Sequence, residues 1–241
     1  MIKILHMYYD IMNLYGEYGN VKVLEQHLKD QGLAVVVDKK TISDEINLRD
    51  YDFIYMGSGT EKNQLVVLED LMSKYQPAIK EYIENGKLFL LTGNSYELLG
   101  KNINGKAALG IFNFEVTLTS KRNVSDVIAT SSEFQNKIVG FVNNMSSITE
   151  NHHPLLNIEF GLGENKTSKK EGIIYKNIIG THLIGPLLVR NPEVLEYFVK
   201  KILLTKKEEP IEFTSIQYEE EEKGYELVLE ELEKRKKECD K

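Results

Sequence analysis

Residues 88–100, LFLLTGNSYELLG, read as a hydrophobic strand, a tight turn and a short helix. That is the outline of a nucleophile elbow. In such an elbow a strained turn lifts one residue above a sheet edge, and a helix N-terminus offers backbone N–H groups to an oxyanion. Two other segments end strands that would reach the same edge. MGSGTEKNQ, residues 56–64, carries a glycine loop whose N–H groups can face that oxyanion, and GTHLIGPLLVRNP, residues 180–192, closes the last core strand. The pocket they would form is lined by Gly57, Ser58, Gly59, Asn94, Ser95, Tyr96 and His182. Ser95 and His182 could act together as nucleophile and base only as a rewired pair, since serine attacks only when a base lies within hydrogen-bond reach, and His182 otherwise reads as an ordinary partly buried histidine.

The other histidines and the one cysteine suggest no second centre. His152 and His153, beside Pro154, form a loop pair without an evident third ligand, so no metal site is expected. His6 and His27 read as structural, and Lys166, Lys169 and Lys170 as solvated lysines in a polar loop rather than a phosphate site. Cys239 is the single cysteine, which excludes an internal disulfide, a CxxC pair and a multi-cysteine zinc site. It reads as an incidental thiol on a charged helix, and no cofactor is expected.

A strand–helix rhythm must position the elbow. Residues 2–8 are apolar and β-prone, DIMNLYGEYGN is a loop, and VKVLEQHLKDQG is a helix stopped at Gly32. LAVVVDK, YDFIYMGSG and KLFLLTG follow as strands of the kind buried on both faces, with a mostly helical 61–85 broken near Pro77. The pattern predicts an α/β fold: an open, mostly parallel sheet flanked by helices, working at the carboxyl ends of its strands. After Gly100 the rhythm changes. Residues 114–119, 127–131 and 138–143 are short β-prone runs without room for crossover helices, which predicts an antiparallel β excursion. GIIYKN and IIGTHLIGPLL read as two strands joined at Lys176 and Asn177. Asn191 as N-cap and Pro192 as first helical residue predict a helix over 193–204.

The chain has 241 residues, 41% hydrophobic and 28% charged, the composition of a globular protein of one large or two small domains. Residues 208–241 carry 13 acids and 6 bases, so the whole formal charge of −7 lies in the tail and the body is neutral. A neutral body gives no electrostatic basis for nucleic-acid binding. No run approaches the length of a membrane span and no secretory segment is seen, so the expected location is the cytoplasm. The division expected is a domain over 1–204 and an acidic extension over 205–241. In the extension Leu227, Val228 and Leu232 form a narrow apolar stripe, suited either to packing on the domain or to docking a partner.

The order of these pieces resembles the class I glutamine amidotransferase family of the cobyric acid synthase (CobB/CobQ) type. Within it, the likeness is to the glutaminase subunits of lipid II isoglutaminyl synthase, which amidates the stem-peptide glutamate of peptidoglycan precursors. The likeness covers most of 1–204 and rests on MNLYGEYGN, MGSGTEKNQ, YELLG, GFVNN, GLGEN and GTHLIGPLLVRNP, with the tail helix less clear. It implies a flavodoxin-like fold and a Mur-ligase-like partner that activates a carboxylate with ATP and accepts ammonia.

The likeness fails at the chemical positions. The family elbow reads Cys-Gly-Gly-Tyr-Gln-Leu-Leu-Gly; matched on residues 96–100, its nucleophile falls on Gly93. The family histidine, in Leu-His-Gly-Pro-Leu-Leu, falls on Ile184. The family's Gly-Phe-Glu-Asn-His survives as Gly140-Phe141-Val142-Asn143-Asn144, followed by Ser146 and Ser147 where an arginine is usual. A side chain of hydrogen cannot attack an amide, and isoleucine cannot carry a proton. Loss of one member of such a unit costs on the order of 10⁴–10⁶ in rate. The expectation is a catalytically degenerate subunit or scaffold with a vestigial pocket, open to a glutamine-like ligand through the N–H groups of Gly57, Gly59, Asn94 and Ser95. The alternative is a glutaminase rescued by Ser95 and His182. On a strand, His182 would share the face of Ile184, set back by roughly 7 Å.

Overall fold

The computed structural model describes residues 1–149, 152–205, 213–214 and 218–239. Apolar β-prone runs and amphipathic helices alternate through its first part. β1 (Ile2–Met7) leads through a 3₁₀ turn (Leu14–Gly16) into α1 (Tyr18–Asp30), then β2 (Val35–Lys40) and β3 (Phe53–Met56). α2 (Glu61–Lys74) and α3 (Gln76–Glu84) divide at Tyr75, with Pro77 in the first turn of α3, where its missing N–H costs nothing. β4 (Leu88–Thr92) runs into a 3₁₀ helix (Gly93–Leu99).

The second part is β-rich: β5 (Asn102–Ile103), β6 (Lys106–Ala107), β7 (Glu115–Thr130), β8 (Ile138–Ile148), β9 (Leu156–Phe160) and β10 (Lys170–Glu171). β11 (Ile173–Tyr175) and β12 (Ile178–Thr181) then return to the first sheet. Helices α4 (Leu187–Arg190), α5 (Pro192–Thr205) and α6 (Glu219–Cys239) complete the described residues.

The first sheet has the order β11-β12-β4-β3-β1-β2 and is parallel except for β11, which pairs antiparallel with β12. Strand order reverses between β1 and β3, and a crevice at such a switch point lies beyond the carboxyl ends of the strands. Side chains alternate between two cores. Ile2, Ile4, Phe53, Leu88 and Leu90 pack with Leu24, Phe198 and Ile202 of α1 and α5. Leu5, Met7, Ile54, Phe89 and Leu91 pack with Val67, Leu71 and Ile83 of α2 and α3. With both faces covered, the central strands are apolar throughout and hold the elbow on a rigid base.

Three expectations are corrected. Residues 114–119 and 127–131 belong to one strand, β7, because a bulge between Leu118 and Asn123 absorbs the exposed polar residues while β8 stays paired on either side. The segment after β12 leaves the sheet at Thr181, so 182–188 is a turn and a short helix rather than more strand. Asn191 does precede α5, but its side chain holds β8 instead of capping: Val139 N–H donates to Oδ1 (2.9 Å), and Nδ2 donates to Val139 O (2.9 Å).

α6 lies on the second sheet. Leu232 packs on Ile128 and Val139, with Tyr225, Val228 and Leu229 beside it. Leu227, expected in the apolar stripe, is 67% exposed, because the buried face runs through 225, 228, 229 and 232.

Candidate functional site

The turn that follows β4 is made by a glycine. Gly93 follows β4 with φ +63, a left-handed conformation that glycine adopts without steric cost. A Cβ there would overlap the Cβ of Ser58, lie 2.5 Å from its Oγ and meet Ile184 Cγ2 at 3.1 Å. Ser58 and Ile184, the latter bridged to β8 through its N–H to Phe141 O (3.0 Å), thus fill the space in front of Gly93.

The next residue takes up the glycine loop. Gly59 N–H donates to Asn94 Oδ1 (2.9 Å), and Asn94 Nδ2 donates to Gly59 O (3.0 Å). Ser58 Oγ also points to Oδ1, at 3.4 Å. The donor that the sequence led us to expect at Gly59 is therefore engaged by the chain's own carboxamide rather than open to an incoming amide. Gln64 Nε2, from α2, donates to Asn94 O (2.7 Å) and to Glu97 Oε2 (2.6 Å). Gly57 lies against Met12 O and Glu17 Cβ, beneath the loop containing Leu14, whose N–H donates to Ser58 O (2.9 Å).

Ser95 and His182 have other partners. Ser95 is buried, and its Oγ faces the carbonyl oxygens of Met56 and Thr92, each at 2.9 Å. His182, off the strand, has Nε2 3.0 Å from Glu97 Oε1 and Nδ1 3.4 Å from Glu171 Oε1. Burial pulls the imidazole toward neutrality. The bonds and charges of Glu171 and Glu97 outweigh it and push the pKa up to about 10. His182 is thus an imidazolium clamped by two carboxylates, without a free lone pair for a serine proton. Ser146 Oγ donates to the same Glu97 oxygen, and Thr181 Oγ1 donates to Glu171 (2.6 Å). Tyr96, stacked edge-on against His182, donates its hydroxyl to Glu164 (2.9 Å).

A second buried carboxylate ties this edge together from the other side. Glu17 accepts from Tyr55 Oη (2.8 Å), from Gly185 N–H (2.9 Å) and from Thr92 Oγ1. Desolvation raises its pKa, and those hydrogen bonds partly oppose the shift. It joins the start of α1 to β3, β4 and the turn after Ile184.

Outside these contacts a cleft of about 170 Å³ remains, reached by Asn94, Glu97, Ser146 and, at its mouth, Tyr15 and Arg122. Arg122 rides on the bulge of β7 and donates to Glu61 (2.9 Å) and to Asn143 Oδ1 (3.1 Å). Sequence reasoning missed Glu17, Glu97 and Arg122. Glu97 and Glu17 lay inside quoted motifs, and an acid amid the apolar run YELLG was the available signal. Arg122 gave none, since only a bulge brings it there. Of GFVNN, Val142 is in the core and Asn144 accepts from Asn123 (2.9 Å).

His153 packs near Tyr175, far in sequence from the elbow, and no metal-holding cluster of His, Cys, Asp or Glu occurs among the described residues. His27 stacks on Tyr218, while His6 is buried with Nε2 unpartnered and its pKa lowered by burial to about 4. Cys239 is exposed. Among the described residues no helix is long and apolar enough to cross a membrane.

Residues 3–192 match the CobB/CobQ-like glutamine amidotransferase domain. The chain belongs to that family. As a CobB/CobQ-like domain it is 31% identical over 241 residues to the lipid II isoglutaminyl synthase (glutamine-hydrolyzing) subunit GatD of Staphylococcus aureus strain N315, covering 98% of each chain. It is 29% identical over 216 residues to the subunit of that name from Streptococcus pneumoniae R6, covering 86% of this chain and 82% of that one. Its fold resembles a glutamine amidotransferase from Thermotoga maritima (TM-score 0.54, 12% identity, covering 94% of this chain and 93% of that one). A second crystal structure of a glutamine amidotransferase gives TM-score 0.55 at 14% identity, covering 83% and 98%. The open α/β sheet expected from the sequence is thus the architecture of class I amidotransferases.

Proposed function

We propose that this CobB/CobQ-like protein is a catalytically degenerate amidotransferase subunit: it does not hydrolyse glutamine, and it supports a Mur-ligase-like partner in amidation of a cell-wall precursor. The observation that carries the reading is Gly93. The nucleophile position has no side chain, and Ser58 and Ile184 stand where one would project. A thiolate nucleophile also needs a neighbouring base, and the corresponding histidine position holds Ile184. The likeness to two GatD subunits of lipid II isoglutaminyl synthase supports the partner class and the pathway. A partner of this class, using ATP and a cell-wall precursor, would fit a cytoplasmic setting.

The competing reading, a glutaminase rebuilt on Ser95 and His182, has the geometry against it. Ser95 Oγ is turned to two carbonyl oxygens, and both His182 nitrogens face carboxylates. Glutamate release should be measured for the chain alone and with a Mur-ligase-like partner. No release above background is expected, together with a stable complex. Release that disappears in Ser95→Ala or His182→Ala would overturn the proposal in favour of the rebuilt enzyme.

A further inference from the structure

We propose that the side chain of Asn94 is a built-in ligand: it occupies a carboxamide-binding subsite formed by the backbone of Gly59, and so keeps free amides out of the cleft. The pairing is two-pronged. The amide oxygen takes the Gly59 N–H and the amide nitrogen gives to the Gly59 carbonyl, at 2.9 and 3.0 Å. The N–H and C=O of Gly59 belong to successive peptide groups, and a primary carboxamide, with donor and acceptor side by side on one carbon, can bridge the two, so what Gly59 recognises is a carboxamide in a defined orientation. A carboxylate at the same place would satisfy the N–H but set an oxygen against the carbonyl. A hydroxyl could engage only one of the two groups.

The subsite is rigid and positioned for a ligand. A Cβ on Gly59 would meet Ile11 O at 2.9 Å and Asn63 Cβ at 3.3 Å, so the backbone is held against the loop after β1 and the start of α2. Ser58, immediately before it, fills the space in front of Gly93. Asn94 is itself pinned by Gln64 through its backbone carbonyl and is 8% exposed, at the inner end of the cleft. Removing its side chain beyond Cβ would leave a facing N–H and C=O on a cleft with room for a small amide. Buried polar groups in that state accept a replacement partner readily.

This inference deepens the proposed function and rests on it, but the two fail separately. Glutamate release would defeat the functional reading, whereas the Gly59 amide reports occupancy alone. The test uses the full chain labelled with ¹⁵N, as wild type and as Asn94→Ala, titrated with acetamide and with L-glutamine. In the wild type the Gly59 amide should not move. In Asn94→Ala it should exchange with solvent roughly 5–30-fold faster, the ratio that one or two lost hydrogen bonds produce, and show a saturable shift with both amides but not with acetate. Wild-type Gly59 shifting with acetamide as strongly as the variant would overturn the proposal, as would a folded Asn94→Ala that ignores both amides. Should Asn94→Ala not fold, the wild type still decides. A scalar coupling across the hydrogen bond from Gly59 N–H to the Asn94 side-chain carbonyl is expected, and its absence would count against the inference.

Discussion

His182 shows how one residue type can change its task when its surroundings change. From sequence it reads as an ordinary partly buried histidine or, in a rewired pair, a base; between Glu97 and Glu171 its pKa is pushed up to about 10 and it is held as a buried cation. Removing one partner from a buried charge pair leaves the others uncompensated, so His182→Gln should lower unfolding free energy by about 3–5 kcal/mol near pH 6. The folded pKa lies above the unfolded value of 6.5. The contribution is therefore complete below that value and is lost as pH rises through the folded pKa. Urea unfolding of both proteins across that range should show their stabilities converging towards pH 10, and a constant gap would refute the charge argument. Gly93 makes the complementary point about space. Gly93→Cys must displace Ser58, and forcing atoms into a packed site costs about 1–3 kcal/mol. The pair Gly93→Cys with Ile184→His is thus expected to be less stable than the wild type and still to release no glutamate, because the space is taken and Gly59 N–H is engaged.

Elements were legible where burial imposes a period, and less so where polar residues are placed by tertiary contacts. β1, β3 and β4 announced themselves because both of their faces are covered, and α2 and α3 parted near Pro77. β7 looked like two strands because Ser120, Lys121 and Arg122 carry no strand signal. Pairing with β8 on both sides of the bulge overrides their local preference. The same bulge hid Arg122 from the site. The elbow was legible as a motif, with Gly93 and Ile184 at its chemical positions, but the Asn94–Gly59 ring and the His182 clamp depend on contacts 35 and 85 residues apart, which no local pattern contains. α6 offers a measurable case of the same distinction. Leu232→Ala should cost about 2–5 kcal/mol, as for a buried leucine, while Leu227→Ala should stay within about 0.5 kcal/mol, as for a surface site. Equal effects would mean that the helix sits in another rotation.

At the scale of the whole molecule, the acidic tail raises the question of whether it belongs to the domain or to a partner. α6 answers with contacts to the body: Leu232 on Ile128 and Val139, Tyr225 Oη to Lys137 O (2.7 Å), and Arg235 to Asp126 (2.8 Å). The ion pairs Lys137–Glu233 and Lys236–Glu159 add to this face, though half-exposed pairs contribute little each. The apolar contact is what binds the helix, so the nine acids and five bases of α6 are carried by an element already seated. Ending the chain at Lys206 should therefore expose Ile128 and Val139 and lower the melting temperature, by about 2–4 °C for each kcal/mol lost in a domain of this size. On the proposed function, binding to a Mur-ligase-like partner should change little, because α6 is seated on Ile128 and Val139 while the MGSG loop, the elbow and the turn at Gly185 lie at the carboxyl edge of the other sheet. Calorimetry of the shortened chain, alongside titration against the partner, separates the two roles. A lower melting temperature with unchanged affinity is expected, whereas an unchanged melting temperature with lost affinity would make α6 a docking element after all.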